Sequence, residues 1–132
     1  MAAGLSGLLV RHEIFSPSPL VVAIQSFGAG LAIWSRVVLG RRSFTLSAEP
    51  TSGRLVTAGP YRIIRHPVYT AACIILFAGI AYHRSLFSIG CGVLILAGAL
   101  LRIREEEKRL AAAYPEFRDY ALRTWRMIPF VY

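Results

Sequence analysis

The sequence predicts an all-α integral membrane protein with about three transmembrane helices and a cytoplasmic C-terminal helical cap. Three observations carry this. The 132 residues are 55% hydrophobic, and the mean hydropathy of +0.53 is too apolar for an ordinary soluble domain of this length. Three apolar runs are separated by polar or basic breaks. The net charge is +8, and fourteen of the fifteen basic residues are arginine, grouped near the ends of those runs. That pattern fits a chain meeting anionic lipid headgroups, and the lipid bilayer is the expected partner. Nucleic acid is not, because a basic nucleic-acid module of this size would not carry such long apolar stretches.

One membrane domain fills residues 1–132. Residues 1–18 are a mixed lead-in with Pro17 and Pro19 near its end and no clear signal peptide. The first span covers 19–39, and about 20 residues at helical rise can cross a bilayer. Within it Gly28 and Gly30, with Ala29 and Ala32, form a small-residue face for close helix packing. Gln25 is the polar exception: it could face a site, but more often such a residue hydrogen-bonds to a neighbouring helix. Residues 40–66 form a polar, breaker-rich loop. Residues 67–101 form a helical hairpin that turns at His83 and Arg84, its first arm beginning before Pro67 and its second continuing past Arg102. The tail 102–132 opens with a charged helix, stops at Tyr114-Pro115, and resumes with Phe117, Tyr120, Arg123 and Trp125 at roughly helical spacing. Cys73 and Cys91 lie inside apolar runs, which suits small core residues rather than a disulfide or a metal site.

Orientation follows from the arginines. The loop 40–66 and the tail 102–132 hold twelve of the fifteen basic residues, and the turn at 83–84 holds one. Positive-inside bias therefore puts loop and tail together in the cytoplasm, where they can meet.

Two stretches there carry chemistry. Residues 59–69, Gly-Pro-Tyr-Arg-Ile-Ile-Arg-His-Pro-Val-Tyr, contain two prolines. Pro60 suits the first turn of a helix, and Pro67 breaks what precedes it and starts another. A helix starting at Pro67 leaves early N–H groups free to hold an anion. Arg62 and Arg65 read as lipid or loop contacts. On the charged helix, Arg102, Glu106 and Leu110 share one face, whereas Glu105 is expected to pair with Arg109. Glu106 is the notable carboxylate, because an ionisable group where a helix leaves the membrane is either paired or used. No Gly-rich phosphate loop, paired cysteines or His-x-x-x-His is present, and no nucleophile with its base. What remains is a His, Tyr, Arg and Glu pocket at the membrane surface, suited to a charged cofactor and a lipid-like substrate.

Leu55-Val56-Thr57-Ala58-Gly59-Pro60-Tyr61, Arg65-His66-Pro67-Val68-Tyr69, and Arg102 with Glu105-Glu106-Glu107, Leu110, Phe117, Tyr120, Arg123 and Ile128-Pro129 together resemble the isoprenylcysteine carboxyl methyltransferase family, to which the phospholipid N-methyltransferases are related. The resemblance runs from about Gly40 to the end. It implies a membrane methyltransferase using S-adenosyl-L-methionine. It also implies that Gly53, Arg54, Leu55, Val56, Tyr61, His66, Pro67, Val68, Tyr69 and Glu106 bind the cofactor. Arg102 would hold the substrate carboxylate, with Tyr120 and Arg123 as further substrate contacts, and Arg102 and Glu106 would be the catalytic pair. The expected reaction is methyl transfer to a lipid-like or prenylcysteine-type acceptor, with a carboxylate as the methylated group. The chain departs from the family in having fewer spans before the motif, in Thr70-Ala71 after Tyr69, and in Tyr114-Pro115 before Phe117. A homo-oligomer that completes the site is one consequence of the shorter N-terminal region. Two other readings stand beside this one: an NADPH-dependent reductase of the sterol reductase group, whose C-terminal pattern is similar, and a small non-enzymatic membrane protein.

Overall fold

The computed structural model describes Ser6, Ile14, residues 18–40 and residues 55–131. Most of the lead-in, most of the loop 40–66, and the candidate residues Gly53 and Arg54 lie outside the described residues. The described chain is helical. Helix α1 spans Pro19–Leu39, a short 3₁₀ turn covers Gly59–Arg62, α2 spans Pro67–His83, α3 spans Leu86–Ala113 and α4 spans Phe117–Arg123.

The helix ends follow from local chemistry. Proline occupies the first turn of α1, of the 3₁₀ turn and of α2, where a missing N–H leaves no helical hydrogen bond broken. Helix α1 ends on Gly40 at φ 61°, whose N–H bonds back to the Arg36 carbonyl. Helix α2 ends on Arg84 in the left-handed region at φ 48°, and α3 begins two residues later. Helix α2 starts at Pro67 and not before it, because the preceding residues form the 3₁₀ turn and then leave helical geometry at His66, whose ψ is 56°. Helix α3 continues unbroken from its apolar part through Arg102 to Ala113.

Helices α1 and α3 are long and apolar enough to cross a membrane, whereas α2 is a shorter apolar helix. Their outward faces carry exposed large apolar side chains, including Leu20, Phe27 and Ile33 on α1 and Leu86, Leu94 and Leu101 on α3. In water that surface would be a liability; in a bilayer it is the solvated face.

Between helices, packing is close at two glycines. A Cβ on Gly28 would stand 2.8 Å from Ile75 Cγ1 and 3.2 Å from the Ala71 carbonyl oxygen, so α1 lies directly on the α2 backbone. Gly30, on the expected small-residue face, meets nothing within 4 Å. On the other side of α2, a Cβ on Gly92 would stand 2.7 Å from Ile80 Cδ1, which sets the approach of α3. The buried cluster joins Leu76 and Ile80 of α2 to Cys91 and Ile95 of α3, with Ile14 packed against them. Both cysteines are free. Gln25 donates from Nε2 to the Ile14 carbonyl at 2.6 Å and to the Ile75 carbonyl at 3.1 Å, pinning the residues before α1 and the side of α2 together.

Candidate active site

The site forms where the chain re-enters the helical bundle. After the 3₁₀ turn, residues 63–66 run beside residues 124–127. Trp125 N–H donates to the Ile63 carbonyl at 2.9 Å, Arg65 N–H to the Trp125 carbonyl at 2.7 Å, and His66 N–H to the Arg126 carbonyl at 2.9 Å. Ile64 and Trp125 form a parallel bridge. The tail thus returns from the far end of α3 to the start of α2. Gly59, at φ 58°, allows this entry: its Cβ would meet Val38 Cγ2 at 2.8 Å and Trp34 Nε1 at 3.3 Å, on α1.

A cavity of about 280 Å³ opens between these elements, lined by Arg36 and Leu39 of α1, Tyr61, residues 65–69, and Glu106 and Leu110 of α3. Its polar centre is Glu106. The Tyr69 hydroxyl donates to Glu106 Oε1 at 2.7 Å, and Arg102 Nε donates to the same oxygen at 3.2 Å. His66 Nδ1 is 3.7 Å from Glu106 Oε2. The first backbone hydrogen bond of α2 runs from Thr70 N–H to the His66 carbonyl at 3.1 Å, so the N–H groups of Val68 and Tyr69 precede the helical ladder and stand at the positive end of the helix, next to the cavity wall.

Behind the wall is a second carboxylate. Glu107 is buried, receives Arg65 Nε at 2.8 Å and Arg126 Nε at 2.9 Å, and lies 3.4 Å from His66 Nε2. Arg65 reaches further, donating from a terminal nitrogen to the Ala121 carbonyl at 2.9 Å and to the Thr124 carbonyl and hydroxyl. Arg65 is therefore neither a lipid nor a loop contact. It ties the start of α2 to α3 and to the end of α4. Arg62 is exposed. Glu105 pairs with Lys108 at 2.7 Å on the open face, rather than with Arg109.

Of the residues expected at the site, Tyr61, His66, Pro67, Val68, Tyr69 and Glu106 line one cavity. Arg102 joins them through Glu106, with a side chain about half exposed. Leu55 and Val56 lie before the 3₁₀ turn, outside the cavity lining. Tyr120 and Arg123 also lie outside it: the Tyr120 hydroxyl donates to the Tyr61 carbonyl at 2.8 Å, and Arg123 is exposed. Burial pushes the phenols of Tyr61 and Tyr120 up to about 12, against the opposing pull of Arg36 on Tyr61 and of Arg65 on Tyr120. Both are protonated at neutral pH, which keeps Tyr120 a donor.

Arg36, Leu39 and Leu110 complete the wall, and the sequence did not single out Arg36 or Leu39 for it. Glu107 was legible. Cys91, Ile95, Ala99, Ile103 and Glu107 recur every fourth residue and all are buried, so a carboxylate continues an apolar stripe and requires cationic partners there.

A family model described as phospholipid methyltransferase matches residues 19–116. Among curated proteins, the cobalt-zinc-cadmium resistance protein CzcN of Cupriavidus metallidurans is 36% identical over 136 residues, covering 95% of this chain and 58% of that protein. The nickel-cobalt-cadmium resistance protein NccN of Alcaligenes xylosoxydans xylosoxydans is 38% identical over 81 residues, covering 59% of this chain and 37% of that protein. The chain thus spans little more than half the length of the first relative and less of the second. No solved structure matches. The match covers the bundle from the start of α1 to the end of α3, including every residue that lines the cavity, and the chain belongs to the phospholipid methyltransferase family.

Proposed function

We propose that the protein transfers a methyl group from S-adenosyl-L-methionine to a lipid-like acceptor at the membrane surface, with a carboxylate as the methylated group in the manner of the isoprenylcysteine carboxyl methyltransferases. The observation that carries this reading is the convergence of Tyr69, His66 and Arg102 on Glu106 at the wall of one cavity.

The donor set fits the cofactor. Its volume of about 280 Å³ is near the lower end of the range for small-molecule sites, about 300–1,000 Å³. Glu106 is a carboxylate for an ammonium or a ribose hydroxyl. The N–H groups of Val68 and Tyr69, with Arg36 nearby, suit a carboxylate. Tyr61, Leu39 and Leu110 offer apolar and aromatic surface for an adenine. When bound, the cofactor would supply an electrophilic methyl group on a sulfonium, for transfer to the acceptor's carboxylate oxygen with the neutral thioether as leaving group. The chain's own part is to position and to exclude water. Arg102, half exposed beside Glu106, faces the side from which an acceptor arrives and is suited to hold its carboxylate. Such an acceptor is already ionised at neutral pH, so no general base is required.

Three spans with loop and tail in the cytoplasm belong to the same reading. Helix α2, with 17 residues, is about 26 Å long, close to the thickness of the hydrocarbon core. The family match gives no support to the reductase reading. The two relatives are named for metal resistance, with no methyl acceptor in either name, so the acceptor class is argued from the site.

Calorimetric titration of the purified full chain in lipid nanodiscs tests the reading. S-adenosyl-L-methionine is expected to bind in the micromolar range, and Glu106→Ala and His66→Ala are each expected to abolish detectable binding while the protein remains folded by circular dichroism. Binding of NADPH in its place would overturn the proposal, and binding of neither would favour a non-enzymatic membrane protein.

A further inference from the structure

The hydrogen bonds that bring the tail back to α2 also fix the depth at which it ends. His66 N–H bonds to the Arg126 carbonyl at 2.9 Å, and the Thr70 hydroxyl donates to the Met127 carbonyl at 2.8 Å. Residues 126 and 127 are therefore level with the first turn of α2, where its apolar sequence begins. Met127 is buried against the protein, but the side chains around it are not. Trp125, Ile128, Phe130 and Val131 are 40%, 53%, 86% and 74% exposed. They form one patch rather than a scatter. Val131 N–H closes a tight turn onto the Ile128 carbonyl at 3.2 Å, Phe130 takes the left-handed region at φ 66°, and its ring lies 5.7 Å from that of Trp125. Leu122, 86% exposed, and the exposed Arg123 precede them on the last turn of α4.

Positive φ is uncommon for a non-glycine residue, and here it accompanies two large rings side by side, that of Phe130 standing almost fully clear of the protein. Exposed aromatic and aliphatic side chains beside arginines, level with the start of an apolar helix, match the composition of an interfacial segment. The positive charge nearby selects the lipid: anionic headgroups attract each arginine near the surface. We infer that residues 122–131 are a membrane-interface anchor, seated at the headgroup boundary of a bilayer containing anionic lipid. The inference rests on the membrane placement of the helices and not on the identity of the cofactor. Because Arg126 holds the His66 backbone and the Glu107 carboxylate, the anchor also braces the wall of the cavity from the lipid side.

Tryptophan fluorescence tests it. The full chain carrying Trp34→Phe leaves Trp125 as the sole tryptophan, and is reconstituted in phosphatidylcholine vesicles with and without phosphatidylglycerol. Lipids brominated near the headgroup end of the acyl chain are expected to quench Trp125 several-fold more than lipids brominated at the chain end, and more with phosphatidylglycerol than without. Aqueous iodide is expected to quench it weakly. Strong iodide quenching without lipid quenching would place the patch in water. Resistance to both quenchers would mean a protein partner, such as a second copy of the chain, covers it. Strongest quenching from the chain end would mean full insertion. Each of these overturns the proposal. Should Trp34→Phe fail to fold, the loss of lipid-quenchable signal in Trp125→Phe against the unaltered protein gives the same reading.

Discussion

Glu106 and Glu107 are adjacent in sequence and have opposite environments. Consecutive positions on a helix lie about 100° apart, so one carboxylate faces the cavity and the other faces the body of the protein. Glu106 accepts from Tyr69 and Arg102 and remains partly exposed. Glu107 is enclosed by Arg65, Arg126 and His66. His66 stands between the two, one ring nitrogen toward each, and neutral imidazole carries a proton on only one of them. Glu107 thus helps to orient the ring that Glu106 shares. Removing one partner of a buried ion pair strands the rest, at about 3–5 kcal/mol. Glu107→Gln is therefore expected to destabilise the protein by about 3 kcal/mol, read as a lower denaturant midpoint in mild detergent. Arg102→Gln, which breaks an exposed pair, is expected to change that midpoint by less than about 1 kcal/mol. Equal losses in the two variants would contradict the distinction.

At the scale of elements, what decides the site is how near α1 can come to α2. Between apolar helices in lipid there is little hydrophobic drive to associate, so close van der Waals contact at small residues matters most. Gly28 supplies it and Gly30 does not. Gly28→Val is expected to destabilise the chain by about 1–3 kcal/mol, the usual penalty for overpacking. Gly30→Ala is expected to be neutral or slightly stabilising, since it fills open space and favours a helix. Thermal unfolding in detergent compares the two. Loss of contact at Gly28 would also move Arg36 and Leu39, which lie two and three turns further along α1 in the cavity wall, so Gly28→Val is expected to weaken cofactor binding as well.

For the whole molecule, the arginine distribution makes a claim about sidedness. With loop and tail in the cytoplasm, the turn between α2 and α3 faces outward. In a background with Cys73→Ala and Cys91→Ala, a Leu86→Cys variant in intact cells is expected to react with a membrane-impermeant maleimide. An Arg118→Cys variant is expected to react only after permeabilisation. The reverse labelling would invert the topology, and labelling of both without permeabilisation would mean that α3, which separates the two positions, does not span.

Sequence by itself determined the helical, membrane-embedded class, the ends of α1, the breaks at Pro67, Arg84 and Tyr114, and Arg102 and Glu106 as neighbours on one helix face. Each of these follows from local rules: apolar run length, proline without an N–H, and side chains repeating every fourth position on a helix. Tertiary structure decided the rest. Arg65 and Arg62 are both arginines in one short segment, and only the return of the tail across residues 63–66 makes the first a buried tie and leaves the second exposed. Tyr120 looked like a substrate contact and bonds to the Tyr61 backbone; Arg36, which the sequence did not single out, lines the cavity. The common reason is separation in sequence. Hydrogen bonds across 56 residues, such as Arg65 to Ala121, or across 41, such as His66 to Glu107, leave no periodic trace in the chain. They exist only once the helices have fixed where its distant parts meet.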